Sequence, residues 1–338
     1  MVSDLQRRRH LHQRRWCVAD SGLSARGKGF VVSSIVNEEI PESLDGERLD
    51  RIVSLITELS RADAATIIAA GGVTVDGAAA PSGKVRMKVG QSVTVDLATL
   101  PEEQLPQPDP SVAVDVVHVD DDVIVVNKAA GVVVHPGAGN ADGTLVNGLL
   151  ALYPEIAAVG ESHRPGIVHR LDVGTTGLLI VARTQRAYEA FVDMLAAREV
   201  TRRYTALVWG RPAAPVGTID AAIGRDPRDP LRMAVVASGK PARTNYRVER
   251  TYSDPEVSLV TCELETGRTH QIRVHLQATG HPVVGDPSYG GARAPLAFGR
   301  PFLHAGGLEF EHPFTGEQMA FRAPLPADLD AVLSRLHP

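Results

Sequence analysis

Residues 166–182 read GIVHRLDVGTTGLLIVA, so a short charged loop leads directly into an apolar run. The run over 177–182 predicts a buried strand, because it is short, rich in branched residues and bounded by a glycine turn. The loop before it carries His169, Arg170 and Asp172. Polar groups held at the end of a rigid strand are typical of a functional site.

Asp172 is the natural centre of this loop. A free aspartate is ionised at neutral pH, so it suits nucleophilic attack or general-base work rather than proton donation. The alternative is a structural loop in which Asp172 accepts hydrogen bonds from turn amides while His169 and Arg170 cap strand ends. The segment by itself leaves both interpretations open.

A second polar cluster, ETGRTHQIRVHL, occupies residues 265–276. Gly267 allows the backbone to turn, and the helical spacing after it places Thr269 and Arg273 on one face. Arg273 is therefore available to pair with Asp172.

The segment RRYTALVWG at residues 202–210 predicts a strand whose alternation can direct Tyr204 into a pocket. Aromatic residues make up only 4% of the chain. A tyrosine that follows two arginines is therefore a candidate stacking surface for a nucleic-acid base. The alternative is a tyrosine of the hydrophobic core.

The composition is that of a globular protein, with 43% hydrophobic and 22% charged residues among 338. No run approaches the roughly 18 to 20 apolar residues of a membrane span. With only Cys17 and Cys262, neither a disulfide framework nor a four-thiolate zinc site can form, and a cytoplasmic location is expected. His270 and His275 are five residues apart and no HExxH motif is present, so no metal site is predicted.

The net charge of −5 is unevenly distributed. Residues 1–30 carry +5 and residues 31–160 carry −12, whereas residues 161–300 carry +5 from 18 arginines and one lysine against 14 acidic residues. Arginine forks suit phosphate or carboxylate partners better than generic solvation does. A polyanion that docks locally on an acidic protein is the predicted partner.

The pattern along the chain divides it into four regions. They are a flexible basic arm over 1–43, a small α/β domain over 44–97, a proline-rich linker over 98–111 and a larger domain over 112–338. The small domain is predicted to contain two helices, which begin near Arg48 and Ser60, and strands at 73–75 and 91–95.

The larger domain is predicted to be α+β, with a mixed but mainly antiparallel sheet, because strands predominate and most are joined by short turns. Helices are expected at 144–152 and 186–197, and one of the strands at 131–134. No strand leads into a GxGxxG or Walker fingerprint, so no nucleotide cofactor is predicted.

The order RLD, LSR and GGVTVDG over residues 48–77 resembles the S4-type RNA-binding domain. The resemblance implies that basic groups on the two helices and the adjoining loop contact RNA. These residues are Arg48, Arg51, Arg61, Lys84, Arg86 and Lys88. A small accessory domain with a solvated charged face is the alternative.

Beyond the linker, the motifs GIVHRLDVGTTGLLIVAR, RRYTALVWG and ETGRTHQIRVHLQATGHPVVGDPSYG resemble the RluA/RluD family of pseudouridine synthases. The resemblance covers residues 112–336 and implies a mainly antiparallel sheet with a central catalytic cleft. It also implies isomerisation of uridine to pseudouridine in RNA without cofactor or metal.

Carried over by motif, the resemblance makes Asp172 the nucleophile and Arg273 its ion-pair partner. Arg170 then assists substrate access and active-site closure, and Tyr204 contacts the uracil. Further substrate contacts are implied for His169, Thr175, Thr176, Arg268, His270 and Gln271. The chain departs from the usual pattern at Ala129, where proline is common, and at Thr176, where serine is common.

The leading hypothesis is thus a cytoplasmic, monomeric synthase that acts on large-subunit (23S-type) ribosomal RNA. A synthase that acts on transfer RNA instead is a less favoured alternative. A non-catalytic RNA-binding ribosome assembly factor is the alternative from another functional class. A carboxylate-based glycoside hydrolase would need a second carboxylate beside these motifs, and none is evident.

Overall fold

The computed structural model describes residues 34–100, 105–137, 139–229 and 231–337. The chain forms two compact units, Met1–Glu103 and Gln104–Pro338. Their boundary falls within the range 98–111 predicted as a linker. Of the predicted basic arm, residues 1–33 lie outside the described residues.

The first unit is a small antiparallel sheet with two helices. Its elements are β1 (Ile35–Glu39), α1 (Leu49–Thr57), α2 (Arg61–Ala69), β2 (Val73–Val75), β3 (Ala78–Ala79) and β4 (Ser92–Asp96), and the strand order is β1-β4-β2-β3. Leu49, Ile52 and Ile67 are fully buried in its own core. The Ser60 hydroxyl caps α2 by accepting from the backbone N–H of Asp63.

Strand β1 lies within the range predicted as a flexible arm, so that prediction is wrong for residues 35–39. The strand pairs with β4 over five residues, from Ile35 opposite Asp96 to Glu39 opposite Ser92. Its sequence IVNEE is almost wholly exposed and lacks the alternation of a half-buried strand. The strand exists because β4 supplies its hydrogen bonds, which no local pattern reveals.

The second unit is built on a large sheet. Its elements are β5 (Val116–Val119), β6 (Val123–Lys128), α3 (Leu145–Leu152), β7 (Thr176–Ala182), α4 (Gln185–Ala197), β8 (Thr201–Trp209), β9 (Val216–Asp220), β10 (Ile223–Arg225), β11 (Met233–Val235), β12 (Arg243–Ser253), β13 (Glu256–Leu264), α5 (Gln271–Ala278), β14 (Leu303–Glu311), β15 (Gln318–Arg322) and α6 (Ala327–Leu333). The strand order is β5-β6-β7-β14-β8-β13-β12-β9, with β15 added on β14. Within the described ranges only β7 and β14 pair in parallel, which confirms the mixed, mainly antiparallel α+β fold.

The strand predicted at 131–134 does not form. Gly131 turns with φ +82°, and its N–H donates to the carbonyl of Val173 at 2.8 Å. The carbonyls of Val133 and Val134 accept from the N–H groups of Leu145 and Val146. These apolar residues pack as a loop that caps the first turn of α3.

The register of the central strands brings the Asp172 loop and the segment after β13 to the same end of the sheet. Thr176 at the start of β7 is paired with His304 of β14, and His304 is paired with Thr205 of β8. Tyr204 is in turn opposite Cys262 near the end of β13. The loop before β7, the start of β8 and the loop after β13 therefore converge.

In the described part of the chain, no helix has both the length and the apolarity to cross a bilayer.

Gly177 is required where β7 meets β14. It adopts φ +115°, and a Cβ there would lie 2.3 Å from the Ala305 carbonyl oxygen. We expect Gly177→Ala to lower the free energy of unfolding by about 3 kcal/mol or more, because strain and a backbone clash add together.

The matched control is Gly280→Ala. Gly280 also has a positive φ, +86°, but no atom lies within 4 Å of its added Cβ, so the backbone cost alone, about 1 kcal/mol, should appear. Urea unfolding of both variants measures the difference. Equal losses would show that the parallel strand contact is not tightly constrained.

Candidate active site

The converging loops enclose a cavity of about 580 Å³. Nine of the ten residues predicted as catalytic or substrate-binding line it: His169, Arg170, Asp172, Thr175, Tyr204, Arg268, His270, Gln271 and Arg273. Thr176 is the exception. The cavity therefore assembles motifs that are up to about a hundred residues apart in the chain.

A buried chain of charges holds Asp172 in this cavity. Arg273 donates from Nη1 to Asp172 Oδ2 at 3.0 Å, and from Nε and Nη2 to the two oxygens of Asp286 at 2.6 and 2.9 Å. The side chains of Arg273 and Asp172 are 7% and 13% exposed, and that of Asp286 is fully buried. Asp286 thus fixes the guanidinium with a bidentate pair, and the free edge of Arg273 orients the Asp172 carboxylate.

Burial by itself would lower the pKa of Arg273. The hydrogen bonds and charges of Asp286 and Asp172 outweigh this effect, so the pKa of Arg273 is raised. The guanidinium is therefore a permanent cation beside Asp172.

A second layer surrounds this chain of charges. Asp286 Oδ1 also accepts the N–H groups of Ser288 and Tyr289 at 2.9 and 3.2 Å. The Arg273 guanidinium lies 5.0 Å from the centre of the Tyr289 ring. The Tyr289 hydroxyl lies 2.8 Å from His270 Nδ1, so His270 belongs to the same network.

Tyr204 lies on the face of β8 that lines the cavity and is 5% exposed. Burial raises the pKa of Tyr204 to about 12; the Arg202 charge opposes this shift, and a smaller effect of the Asp172 charge adds to it. The phenol is therefore protonated at neutral pH and can donate a hydrogen bond into the cavity. Tyr204 therefore packs in the hydrophobic core and also lines the cavity, so both interpretations of this tyrosine in the sequence analysis apply.

His169 anchors the Asp172 loop to β7. Its Nε2 accepts the backbone N–H of Ile180 at 3.0 Å. Burial, reinforced by the nearby charge of Arg202, lowers the pKa of His169 to about 3, so the ring is neutral at physiological pH. His169 lines the cavity, but this ring nitrogen is occupied by the fold.

Two predicted substrate contacts have structural partners instead. Thr176 was expected in the site, yet it is buried outside the cavity lining, with Oγ1 2.9 Å from His304 Nδ1. Gln271 lines the cavity, but its Oε1 accepts from Thr266 Oγ1 and the Arg268 N–H, and its Nε2 donates to the Arg243 carbonyl and Thr244 Oγ1. Thr176 therefore joins β7 to β14, and Gln271 fastens the loop before α5.

Thr175, Arg170 and Arg268 retain donors near the cavity. The Thr175 hydroxyl is buried and has no hydrogen-bond partner among the described residues. Arg170 is exposed and lines the cavity. Arg268 is also exposed, and toward the described residues its side chain bonds only through Nε, to the Pro241 carbonyl at 3.0 Å. These three side chains can meet a ligand without breaking the fold.

Lys128 is a supporting residue that the sequence reasoning did not assign. It is 2% exposed, and Nζ donates to the carbonyls of Ala129 and Val132 at 2.8 Å and of Val173 at 3.3 Å. Burial lowers the pKa of Lys128 to about 8, although the Asp172 charge opposes this shift. Through Val173, the ammonium fixes the backbone next to Asp172.

Asp286 and Tyr289 were also missed. The signal was present in the segment GDPSYG at residues 285–290, because an aspartate before Pro-Ser commonly accepts the following turn amides. What the segment cannot indicate is that the same carboxylate holds Arg273. His275, considered above as a metal ligand, bonds Thr244 Oγ1 and the Ala221 carbonyl.

The sequence profile described as RNA pseudouridylate synthase matches residues 122–278. The chain is also 49% identical over 304 residues to an uncharacterized RNA pseudouridine synthase of Chloroflexus aurantiacus, covering 88% of this chain and 92% of that protein. The chain belongs to the RluA/RluD family of RNA pseudouridine synthases.

Two further members support this assignment. Ribosomal large subunit pseudouridine synthase D of Xanthomonas campestris is 42% identical over 317 residues, covering 90% of this chain and 93% of that protein. Among solved structures, human RNA pseudouridylate synthase domain containing 1 matches with a TM-score of 0.53 at 32% identity, covering 67% of this chain and 90% of that chain. The enzyme is therefore an isomerase.

The first unit of this family member carries the predicted RNA contacts. Arg48 and Arg61 pair with Asp50, Arg51 pairs with Glu47, and Arg86 donates to the Gly46 carbonyl at 2.7 Å. By contrast, Lys84 and Lys88 are exposed, and neither forms an ion pair with another described residue. Of the six predicted contacts, these two lysines are therefore the ones most available to an external phosphate.

Asp286 should be a positioning residue whose loss affects both stability and turnover. We expect Asp286→Asn to lower the free energy of unfolding by about 3 to 5 kcal/mol, because Arg273 would be left as a partly unpaired buried cation. Pseudouridine formation should fall at saturating RNA, since Arg273 would no longer hold Asp172 in one orientation. Urea unfolding and single-turnover assays measure the two effects.

Asp328→Asn is the matched control, because Asp328 also forms a bidentate pair, with Arg300, but is 47% exposed. It should change the free energy of unfolding by less than about 1 kcal/mol. If the two variants were equally stable and equally active, the buried chain of charges would not position the site.

Proposed function

We propose that this chain isomerises uridine to pseudouridine in large-subunit ribosomal RNA, with Asp172 as the nucleophile. The observation that carries the proposal is the position of Asp172. Its carboxylate lies in a cavity of about 580 Å³, 3.0 Å from Arg273 and in the same lining as Tyr204. Family membership supplies the reaction, and this geometry supplies the residue.

The chemistry explains why one carboxylate is the central requirement. In the isomerisation the bond between N1 of uracil and C1′ of ribose breaks, a bond from C5 to C1′ forms, C5 loses a proton and N1 gains one. No electrons are gained or lost overall. The carboxylate can add to C6 of the base, attack C1′ or remove a ribose proton. In each route the detached base stays in the cavity while it turns to present C5 instead of N1 to C1′.

The target nucleotide must leave its helix or loop to reach Asp172. A base inside a stack cannot be reached, so it is extruded into a pocket at a cost of a few kcal/mol. Tyr204 offers the extruded base a flat ring and a protonated hydroxyl. The exposed Arg170 and Arg268 at the rim are placed to meet flanking phosphates.

The choice of RNA rests on relatives and on the first unit. A protein named ribosomal large subunit pseudouridine synthase D matches along 90% of this chain, and that match includes part of the first unit. We propose that the first unit is an S4-like RNA-binding domain and that the enzyme acts in the cytoplasm. We also propose that a monomer is the active form.

Asp172→Asn tests the chemical assignment. It should abolish pseudouridine formation while leaving RNA affinity within about twofold, because the amide has the shape of the carboxylate but is neither a nucleophile nor a base. Pseudouridines are mapped by chemical labelling and reverse-transcription stops in cells that carry the wild type, the variant or neither. The variant protein is also tested on purified RNA.

The exposed Asp121 provides the control, since Asp121→Asn changes the charge equally and lies outside the cavity lining. Full activity in Asp172→Asn would refute the assignment of Asp172 as the nucleophile. Wild-type protein that binds ribosomal RNA but makes no pseudouridine would favour an assembly factor, and product in transfer RNA alone would reassign the substrate.

The S4-like assignment predicts a salt effect. Substituting Lys84 and Lys88 together by Gln should reduce the slope of log affinity against log salt by about 1.4, because each phosphate contact to a single strand contributes about 0.7. Turnover at saturating RNA should not change. Filter binding over a range of salt concentrations, with the Lys→Arg pair as a charge-conserving control, measures the slope, and an unchanged slope would remove the lysines from the interface.

A further inference from the structure

The cavity contains a buried cation that the proposed mechanism does not use. Arg202 lies two residues before Tyr204 on β8, lines the cavity and is 6% exposed. Its Nη2 donates to the Leu264 carbonyl at 3.4 Å, and its Nε is buried with no hydrogen-bond partner. Among the described residues no carboxylate forms an ion pair with it.

The nearby acids are already engaged. Asp172 is held by Arg273, and Glu265, the other carboxylate in the cavity lining, pairs with Arg198 and with Arg243. Arg202 is thus a guanidinium taken out of water without a counter-ion. A buried, unpaired guanidinium destabilises the fold unless an anion pairs with it.

The local backbone leaves room for the guanidinium. A Cβ added to Gly267 would lie 3.0 Å from Arg202 Nη1. The loop after β13 therefore approaches the guanidinium closely at a residue without a side chain. Arg202 lines a cavity in which six arginines outnumber two carboxylates: Arg164, Arg170, Arg198, Arg202, Arg268 and Arg273 against Asp172 and Glu265.

We propose that Arg202 is a built subsite for one of the two phosphates attached to the ribose of the extruded nucleotide. This inference rests on the proposed function, because it takes the occupant of the cavity to be a nucleotide of RNA. A permanently charged cation is matched by a permanently charged anion, and a phosphate oxygen can accept charge-assisted hydrogen bonds from the terminal nitrogens of a guanidinium. The ion pair would form only when the nucleotide enters, so Arg202 selects for an extruded, phosphodiester-linked uridine.

Arg203 provides a neighbouring comparison. It points to the opposite face of β8, where it pairs with Glu263 at 3.2 Å and Glu309 at 2.6 Å. Its charge is therefore satisfied within the fold. The two adjacent arginines have the same chemistry, but of the two only Arg202 lines the cavity and has no carboxylate partner among the described residues.

The test is a double-mutant cycle between the guanidinium and the phosphate charge. The probe is a hairpin RNA from a large-subunit segment with one loop uridine, made with normal linkages or with a neutral methylphosphonate on the 5′ or the 3′ side of that uridine. For wild-type full-length protein, one of the two replacements should weaken binding by about 10- to 100-fold, as expected for a charge-assisted hydrogen bond. Arg202→Met should bind all three RNAs with the same affinity, whereas Arg203→Met should keep the wild-type contrast.

Stability provides a second readout that a merely structural arginine would fail. Because methionine keeps the packing and removes an unpaired charge, the urea midpoint of Arg202→Met should equal or exceed that of the wild type. A lower midpoint, or failure to fold, would overturn the claim that Arg202 is unpaired. A methylphosphonate contrast that persists in Arg202→Met would overturn the phosphate subsite and assign Arg202 to the reacting base.

These outcomes are distinct from failure of the proposed function. The cycle measures binding, whereas the proposed function is decided by the pseudouridine map. If the uridine is converted but the affinities for normal and methylphosphonate RNA do not depend on Arg202, only the subsite is rejected. If those affinities depend on Arg202 but the uridine is not converted, only the proposed reaction is rejected.

Discussion

The buried ion-pair chain from Asp286 through Arg273 to Asp172 is the interaction on which the site depends. Two of its members are almost completely removed from water, so neither could be there alone at a tolerable cost. Asp286 accepts from two nitrogens of the guanidinium, Nε and Nη2, and leaves Nη1 for Asp172, 3.0 Å away. The Asp172 carboxylate in the cavity lining is thereby oriented through Arg273 by a fully buried carboxylate, Asp286, that lies outside the lining.

The fold supplies three fixed points around that chain. Lys128 ties the backbone beside Asp172 to the loop after β6, His169 ties the same loop to β7, and Gln271 fastens the turn before α5. The register of β7, β14 and β8 then sets Tyr204 and Arg202 against the same space. Rigid positioning of this kind is what catalysis by a single carboxylate requires, because a displacement of about 1 Å can cost a factor of about a hundred in rate.

The sequence predicted those features whose signal is local. Composition and spacing were enough to predict the apolar run 177–182, the helices at 144–152 and 186–197, and the polar motifs that converge on Asp172. Strand β1 and the loop at 131–134 were misjudged, because their structures are decided by hydrogen bonds to distant partners, β4 and the start of α3. For the same reason the sequence predicts Thr176 in the site although its partner is His304. Neither the pairing of Asp286 with Arg273 nor the unpaired state of Arg202 could be inferred from neighbouring residues.

The central claim is that the Asp172 carboxylate reaches the sugar or base of an extruded uridine while Arg273 holds it. A crystal structure of the protein bound to a substrate RNA measures this most directly. One Asp172 oxygen should lie about 3 to 3.5 Å from C1′, from C6, or from the ribose carbon whose proton the carboxylate would remove, in an unstacked uridine. Arg273 should still be paired to Asp286. A uridine that remains stacked in the RNA, or that enters the cavity with Asp172 turned away from it toward protein, would contradict the proposal.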